Sequence, residues 1–93
     1  MSEPIYITTK GKVGTERYNT FKRFRTNLII LRVYNGFTGI ELAETLKIAK
    51  KRILDFETGR CNPTIYELDI ISKYFEVTID QLMHQRVKIT FEQ

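Results

Sequence analysis

Four cationic side chains lie close together near the middle of the chain. Lys50, Lys51 and Arg52 are consecutive, and Lys47 precedes them by three residues. Ammonium and guanidinium groups bind phosphate oxygens and donate hydrogen bonds to the acceptors of guanine. At a helix start such cations lie beside backbone N–H groups, which also attract anions. These residues are therefore a candidate site for binding a polyanion. The alternative is a helix end whose charges only contact solvent, as in most runs of charged residues.

The charge distribution along the chain also favours a polyanionic partner. The 93 residues carry 15 Lys and Arg against 11 Asp and Glu, a net charge of +4. Residues 1–60 hold twelve of the basic and six of the acidic side chains. Nucleic acid is the default partner for such a basic part, but an acidic protein or an anionic membrane surface would produce the same imbalance.

Other kinds of chemistry find little support in the composition. With one cysteine, Cys61, and one histidine, His84, we expect neither an intrachain disulfide nor a Cys/His zinc site. Nothing resembles a nucleophile beside its base, so we expect no enzyme activity, no metal and no cofactor. The longest apolar run, Leu28–Leu31, is too short to cross a bilayer, and no signal-type leader opens the chain. We therefore expect a cytoplasmic domain with no membrane partner.

Apolar spacing and capping signals predict five helices around the basic residues. The first helix begins between Thr15 and Thr20 and ends at Asn35-Gly36. The starts of the other four are predicted at Thr38 with Glu41, near residue 50, at Thr64 with Glu67, and at Thr78 with Gln81. Their predicted apolar faces comprise Ile40 or Leu42, then Ala43, Leu46, Ile53, Phe56, Ile65, Leu68, Ile71 and Phe75.

The two ends of the chain have the pattern of short strands. Residues 5–9 are β-branched and aromatic, and residues 87–91 alternate apolar with polar side chains. Open strand edges invite pairing, within the chain or between two chains. The candidate dimer contacts are therefore Ile5, Ile7, Val87, Ile89 and Phe91.

Residues 38–57 have the layout of a helix-turn-helix motif. Two helices of about eight residues flank a tight turn, and the small Ala43 lets the second helix cross the first closely. Ile48 and Ile53 supply apolar contacts after the turn. The basic residues open the second helix, where this motif enters the major groove of DNA.

The segment from Phe37 to Pro63 resembles the phage-repressor and Cro-like, or XRE-type, helix-turn-helix family. The resemblance is carried by Leu42-Ala43, by Glu57-Thr58-Gly59 at the end of the second helix, and by the Asn62-Pro63 turn. It covers about residues 21–83 and implies a mainly α fold, a five-helix lambda-repressor-like domain, to which the residue pattern adds short N- and C-terminal β-strands. The chain then divides into an N-terminal strand and connector over 1–14, the helix-turn-helix domain over 15–85, and a C-terminal strand over 86–93.

The resemblance also implies roles for individual side chains. Lys50, Lys51 and Asp55 match positions that read base edges, although a salt bridge between Asp55 and Lys51 is an equal alternative for that carboxylate. Arg32 and Glu57 match a partly buried ion pair with a structural role. The matches to phosphate-contacting positions are Thr38, Lys47, Arg52, Thr58 and Arg60.

Three residues depart from the family's pattern. Gly39 stands where many members have a phosphate-contacting Gln, and Lys47 stands where Gly often forms the turn. Ala49 replaces the usual Ser or Thr at the N-cap of the second helix, which forgoes about 1 kcal/mol.

The leading hypothesis is a sequence-specific regulator of transcription that binds double-stranded DNA. We expect a homodimer on a palindromic operator, acting as a repressor. The first alternative is an antitoxin that binds a toxin and represses its own operon. Extra apolar residues on the first helix favour such a protein partner, a toxin or an antirepressor, unless the terminal strands cover them: Ile29, Ile30, Val33 and Tyr34. A second alternative is an adaptor that has kept the fold without binding DNA.

Overall fold

The computed structural model describes residues 21–87, which form five α-helices in the predicted order. Their bounds are α1 (Lys22–Tyr34), α2 (Gly39–Leu46), α3 (Lys50–Thr58), α4 (Ile65–Phe75) and α5 (Ile79–His84). The predicted strand over 5–9 lies outside the described residues, as do Ile89 and Phe91. Arg86 and Val87 are described, and neither is in a strand. None of these helices is long and apolar enough to cross a membrane.

Three helices begin at the capping boxes predicted from the sequence. In each box the Thr hydroxyl accepts the backbone N–H three residues later, and the Glu or Gln there accepts the backbone N–H of the Thr. The boxes pair Thr38 with Glu41, Thr64 with Glu67 and Thr78 with Gln81, at distances of 2.8–3.1 Å. Each Thr satisfies a backbone donor that the helix leaves free, worth about 1 kcal/mol.

The core is built around α1, which packs against α3 and α5. Phe24 on α1 meets Phe56 on α3 edge to face, with ring centroids 5.7 Å apart. The other buried apolar side chains are Leu28, Leu31, Leu42, Ala43, Leu46, Ile48, Ile53, Leu68, Ile71, Leu82 and Met83. The helix-turn-helix of α2 and α3 is thus fixed on a single core.

The burial of Ile40, Leu42 and Ile65 can be compared with the apolar faces predicted from the sequence. Of the alternatives Ile40 and Leu42, the structure buries Leu42 and leaves Ile40 exposed. The prediction that Ile65 lies on the apolar face of its helix is wrong, because its side chain is 72% exposed. Ile65 is the first residue of α4, and the buried face of that helix begins at Leu68.

Asn27 is a fully buried polar residue in the middle of the apolar stripe of α1. Its side-chain amide donates to the carbonyl oxygens of Leu82 and Gln85, both at 2.8 Å, at the end of α5. Its Oδ1 accepts the backbone N–H of Val87 at 3.0 Å. One side chain therefore ends α5 and holds the following residues against α1.

We expect Asn27→Ala to lower the free energy of unfolding by about 3 kcal/mol, because it leaves these backbone groups unpaired and opens a cavity. Urea unfolding measures the change. Ser72→Ala is the matched control, since Ser72 is also buried but bonds only to the nearby Asp69 carbonyl. Equal losses in the two variants would contradict the role given to Asn27.

Candidate nucleic-acid interface

The turn between α2 and α3 is formed without glycine. Lys47 ends α2 in the left-handed conformation, with φ 59° and ψ 40°, as its place in the turn predicted. The backbone N–H groups of Lys47 and Ile48 both donate to the carbonyl of Ala43. Ile48 is buried, whereas the Lys47 side chain is exposed. The turn therefore anchors an apolar residue and presents a cation beside it.

The start of α3 presents two further exposed lysines, Lys50 and Lys51. The N-cap residue Ala49 offers no side-chain acceptor to the N–H groups of this first turn. Among the ion pairs of the described residues, none includes Lys47 or Lys50. Cationic side chains and helix N–H groups meet here, an arrangement that suits a phosphate oxygen.

Lys51 and Asp55, both predicted to read bases, bind each other. Lys51 Nζ lies 3.0 Å from Asp55 Oδ2, one helical turn apart. The lysine side chain is largely exposed and the aspartate side chain is not. The structure thus contains the salt bridge that was the alternative role for Asp55.

Arg32 and Glu57 form the ion pair predicted for them. Arg32 Nε donates to Glu57 Oε2 at 2.7 Å, and Nη2 donates to Oε1 at 3.0 Å. The third donor, Nη1, reaches the carbonyl of Phe37 at 2.9 Å. The hydrogen bond to Glu57 raises the pKa of the Arg32 guanidinium. One arginine on α1 thereby fixes the end of α3 and the loop that leads into α2.

Arg52 lies in a second internal ion pair, between α3 and α4. Its Nε donates to Glu67 Oε2 at 2.9 Å, its Nη1 contacts the sulfur of Cys61 at 3.5 Å, and its guanidinium lies 5.0 Å from the Phe56 ring centroid. The hydrogen bond to Glu67 raises the pKa of Arg52, and the same bond lowers the pKa of Glu67 against the opposing effect of burial. Arg52 therefore orients α3 through Glu67, and because its side chain is still 36% exposed, the phosphate contact predicted for it stays a prediction.

The remaining predicted phosphate contacts have different surroundings. The Thr38 hydroxyl accepts in its capping box and keeps its own proton available. The Thr58 hydroxyl donates to the carbonyl of Leu54 at 2.9 Å, which uses its single proton. Arg60 is exposed just beyond α3. Across residues 21–87 no cluster of three or more His, Cys, Asp or Glu could hold a metal ion.

Sequence reasoning missed the contacts of two residues that hold the helices together. Glu67 was predicted only as half of a capping box, yet the same carboxylate also binds Arg52. Asn27 was given no role in the sequence analysis. It follows Phe24 by three residues and precedes Leu31 by four, which places it on the apolar face of the helix, and a polar side chain on such a face normally has buried hydrogen-bond partners.

The chain is similar in sequence to a curated protein that is named as a regulator of transcription. Over 67 residues, 72% of the chain, it is 37% identical to an HTH-type transcriptional activator, BcrR, of Enterococcus faecalis. The match covers 33% of that protein, so the chain spans about a third of the length of this relative. No protein-family model matches the chain, and no solved structure matches it. The relative's name and the packing of α2 against α3 both support a helix-turn-helix domain.

Replacing Lys47 by Gly should raise the free energy of unfolding by about 1 kcal/mol, because glycine adopts the left-handed conformation without the Cβ penalty. Glu76→Gly is a matched variant, since Glu76 ends α4 at φ 59° and ψ 43°. We expect both variants to melt several degrees higher than the parent by circular dichroism. A lower melting temperature for both would show that neither turn is strained.

Acid should weaken the fold in part through Glu67. Its native pKa is lowered, chiefly by Arg52, so the unfolded chain binds this proton more tightly. The resulting stabilisation is present above the unfolded value of about 4.3 and is lost as pH falls through the lowered native value. Glu67→Gln, which keeps an acceptor for the capping box, should therefore be less stable than the parent at pH 7, and the difference should narrow as the pH falls below about 4.3.

Urea unfolding at several pH values measures this difference. Glu44→Gln is the control, because Glu44 is exposed and forms none of the ion pairs found within residues 21–87. A constant gap between parent and Glu67→Gln from pH 7 to pH 3 would contradict the assignment.

Proposed function

We propose that this chain is a sequence-specific, double-stranded DNA-binding regulator of transcription of the Cro or XRE type. The observation that carries the proposal is the exposed start of α3. There Lys47 and Lys50 have no ion-pair partner among the described residues, while the other side of the helix is fixed in the core. Such a helix end can enter the major groove with its cations toward DNA. The 37% identity to an HTH-type transcriptional activator supports this function.

We propose two roles for the basic residues. We assign base contacts to Lys50 and Lys51, with guanine as the preferred partner. We assign phosphate contacts to Thr38, Lys47 and Arg60, each exposed around the ends of α2 and α3. Arg32 and Arg52 hold α3 in place through their carboxylate partners. Lysines therefore contact the ligand, and arginines with bidentate partners position the helix.

We further propose that the protein acts as a homodimer on a palindromic operator. Two recognition helices about 34 Å apart would read two half-sites and raise affinity through avidity. The proposed contacts between chains include the terminal residues Ile5, Ile7, Ile89 and Phe91. Val87 is a weaker candidate, because its backbone N–H is bound to Asn27 and its side chain packs on the core.

Whether the protein represses or activates transcription depends on where its operator lies relative to the promoter. We propose repression when the dimer covers the promoter, whereas the relative's name, an activator, favours the opposite effect. A promoter-fusion reporter with and without the protein separates the two: lower output supports repression and higher output overturns it.

A protein partner is a second candidate function, supported by the outer face of α1. Val33 and Tyr34 at its end are 59% and 50% exposed. An apolar surface of this kind suits a toxin or an antirepressor. Copurification with the product of the neighbouring gene tests it, and loss of that complex in Val33→Asp would identify the surface.

Substituting Lys50 and Lys51 together by Ala should lower the affinity for the gene's own upstream duplex by roughly 100-fold, because base and phosphate contacts are lost. Fluorescence anisotropy with the full chain measures it. A scrambled duplex and a salt series separate specific binding from attraction to any polyanion.

Lys73→Ala is the control for this variant. Lys73 is an exposed lysine in an i,i+4 pair with Asp69, as Lys51 is with Asp55, but it lies on α4. We expect less than a twofold change for Lys73→Ala. The double variant removes two positive charges and Lys73→Ala removes one, so a loss of about tenfold in Lys73→Ala would mean that each lysine contributes equally wherever it lies. That result would show that only net charge matters and would overturn sequence-specific recognition by α3.

A further inference from the structure

A groove of about 590 Å³ lies between the first turn of α2 and the outer side of α3. Its rim carries Lys50 and Lys51, and its wall on the α2 side includes Gly39 and Ile40. Leu54 lines it from α3. The surface beside the proposed base-reading lysines is thus substantially apolar.

Leu54 occupies the middle of the outward face of α3. It follows Lys50 by four residues and Lys51 by three, so the three side chains share one side of the helix. The inward side is marked by Ile53 and Phe56, which are buried. Leu54 is 58% exposed, at a position where a solvent-facing helix surface normally carries a polar residue.

Ile40 extends this apolar surface from α2. It is 53% exposed and lies two residues after the N-cap Thr38. The preceding Gly39 has no side chain, and a Cβ placed there would meet nothing within 4 Å. The first turn of α2 therefore leaves open space in front of the groove, so a ligand can approach its backbone closely.

The chemistry of the groove specifies its occupant. The lysines at the rim require a ligand with negative charge, and the side chains of Ile40 and Leu54 require an apolar group beside that charge. The major groove of DNA offers this pair, because phosphates flank it and thymine presents a C5-methyl group within it. An apolar peptide would satisfy the side chains but not the lysines.

We propose that Leu54, together with Ile40, contacts thymine C5-methyl groups and so selects thymine next to the guanines bound by Lys50 and Lys51. The inference rests on the proposed function and deepens it, since it names an apolar determinant of sequence. Leu54 contributes to specificity through shape and methyl burial, whereas the lysines contribute hydrogen bonds and charge.

The test compares thymine with uracil, which has the same pairing edge but no methyl group. A duplex site is first selected from a random library with the full-length chain and then synthesised with either base. Anisotropy gives the affinity of the parent, Leu54→Ala and Ile65→Ala for each duplex. Ile65→Ala is the matched control, because Ile65 is also an exposed apolar residue, 72% against 58% for Leu54, and lies on α4.

We expect the parent to bind the uracil duplex about 4-fold more weakly for each contacted thymine, the equivalent of one buried methyl group. Leu54→Ala should bring the affinities for the two duplexes closer together, with any remaining difference due to Ile40, and Ile65→Ala should keep the parent's ratio. Because Leu54 is exposed, its variant should melt like the parent, which circular dichroism checks.

Equal binding of the parent to both duplexes would overturn the methyl contact and leave the proposed function intact, as would an unchanged ratio in Leu54→Ala. A selection that enriches no sequence, with weak and salt-dependent binding throughout, would instead overturn the proposed function and this inference with it.

Discussion

The arrangement of the described helices depends on one buried amide, that of Asn27. This amide lies in the apolar stripe of α1. Its nitrogen donates to two carbonyl oxygens at the end of α5, and its oxygen accepts a backbone N–H from the residues that follow α5. An unpaired amide would be costly in this core, so the end of α5 has one favourable position on α1. The same helix carries Arg32, which fixes α3. Helix α1 therefore sets the position of both the closing helix and the candidate DNA-binding helix.

Two ion pairs hold α3 from opposite sides. Arg32 reaches Glu57 from α1, and Arg52 reaches Glu67 on α4. Both pairs have two nitrogen–oxygen contacts, which constrain orientation as well as distance. For the DNA binding proposed for α3, a helix held in this way needs little reordering, so less of the interaction free energy is lost on binding. The lysines at its start, Lys50 and Lys51, are exposed.

Sequence reasoning predicted those features that depend on residues close together in the chain. The capping boxes at Thr38, Thr64 and Thr78 mark helix starts because each involves only four consecutive residues. The outward position of Ile65 and the contacts of Asn27 depend instead on how distant helices meet, which periodicity does not specify. For Arg52 the sequence offered several acidic partners, and only the packing of α3 on α4 selects Glu67. The resemblance named Arg32 and Glu57 as a pair, a contact that spacing alone would not have identified.

The capping boxes also bear on how fast the chain folds. Helices that begin at local signals form early, and neighbouring helices then pack over short loops, a topology typical of rapid folding. The contact between Asn27 and Leu82 is different, because it joins residues 55 positions apart. Closing that long loop is the entropically expensive step, and its cost grows only slowly with the length of the intervening chain. The transition state for folding is therefore expected to have α2, α3 and α4 largely formed, with the docking of α5 on α1 among the last events.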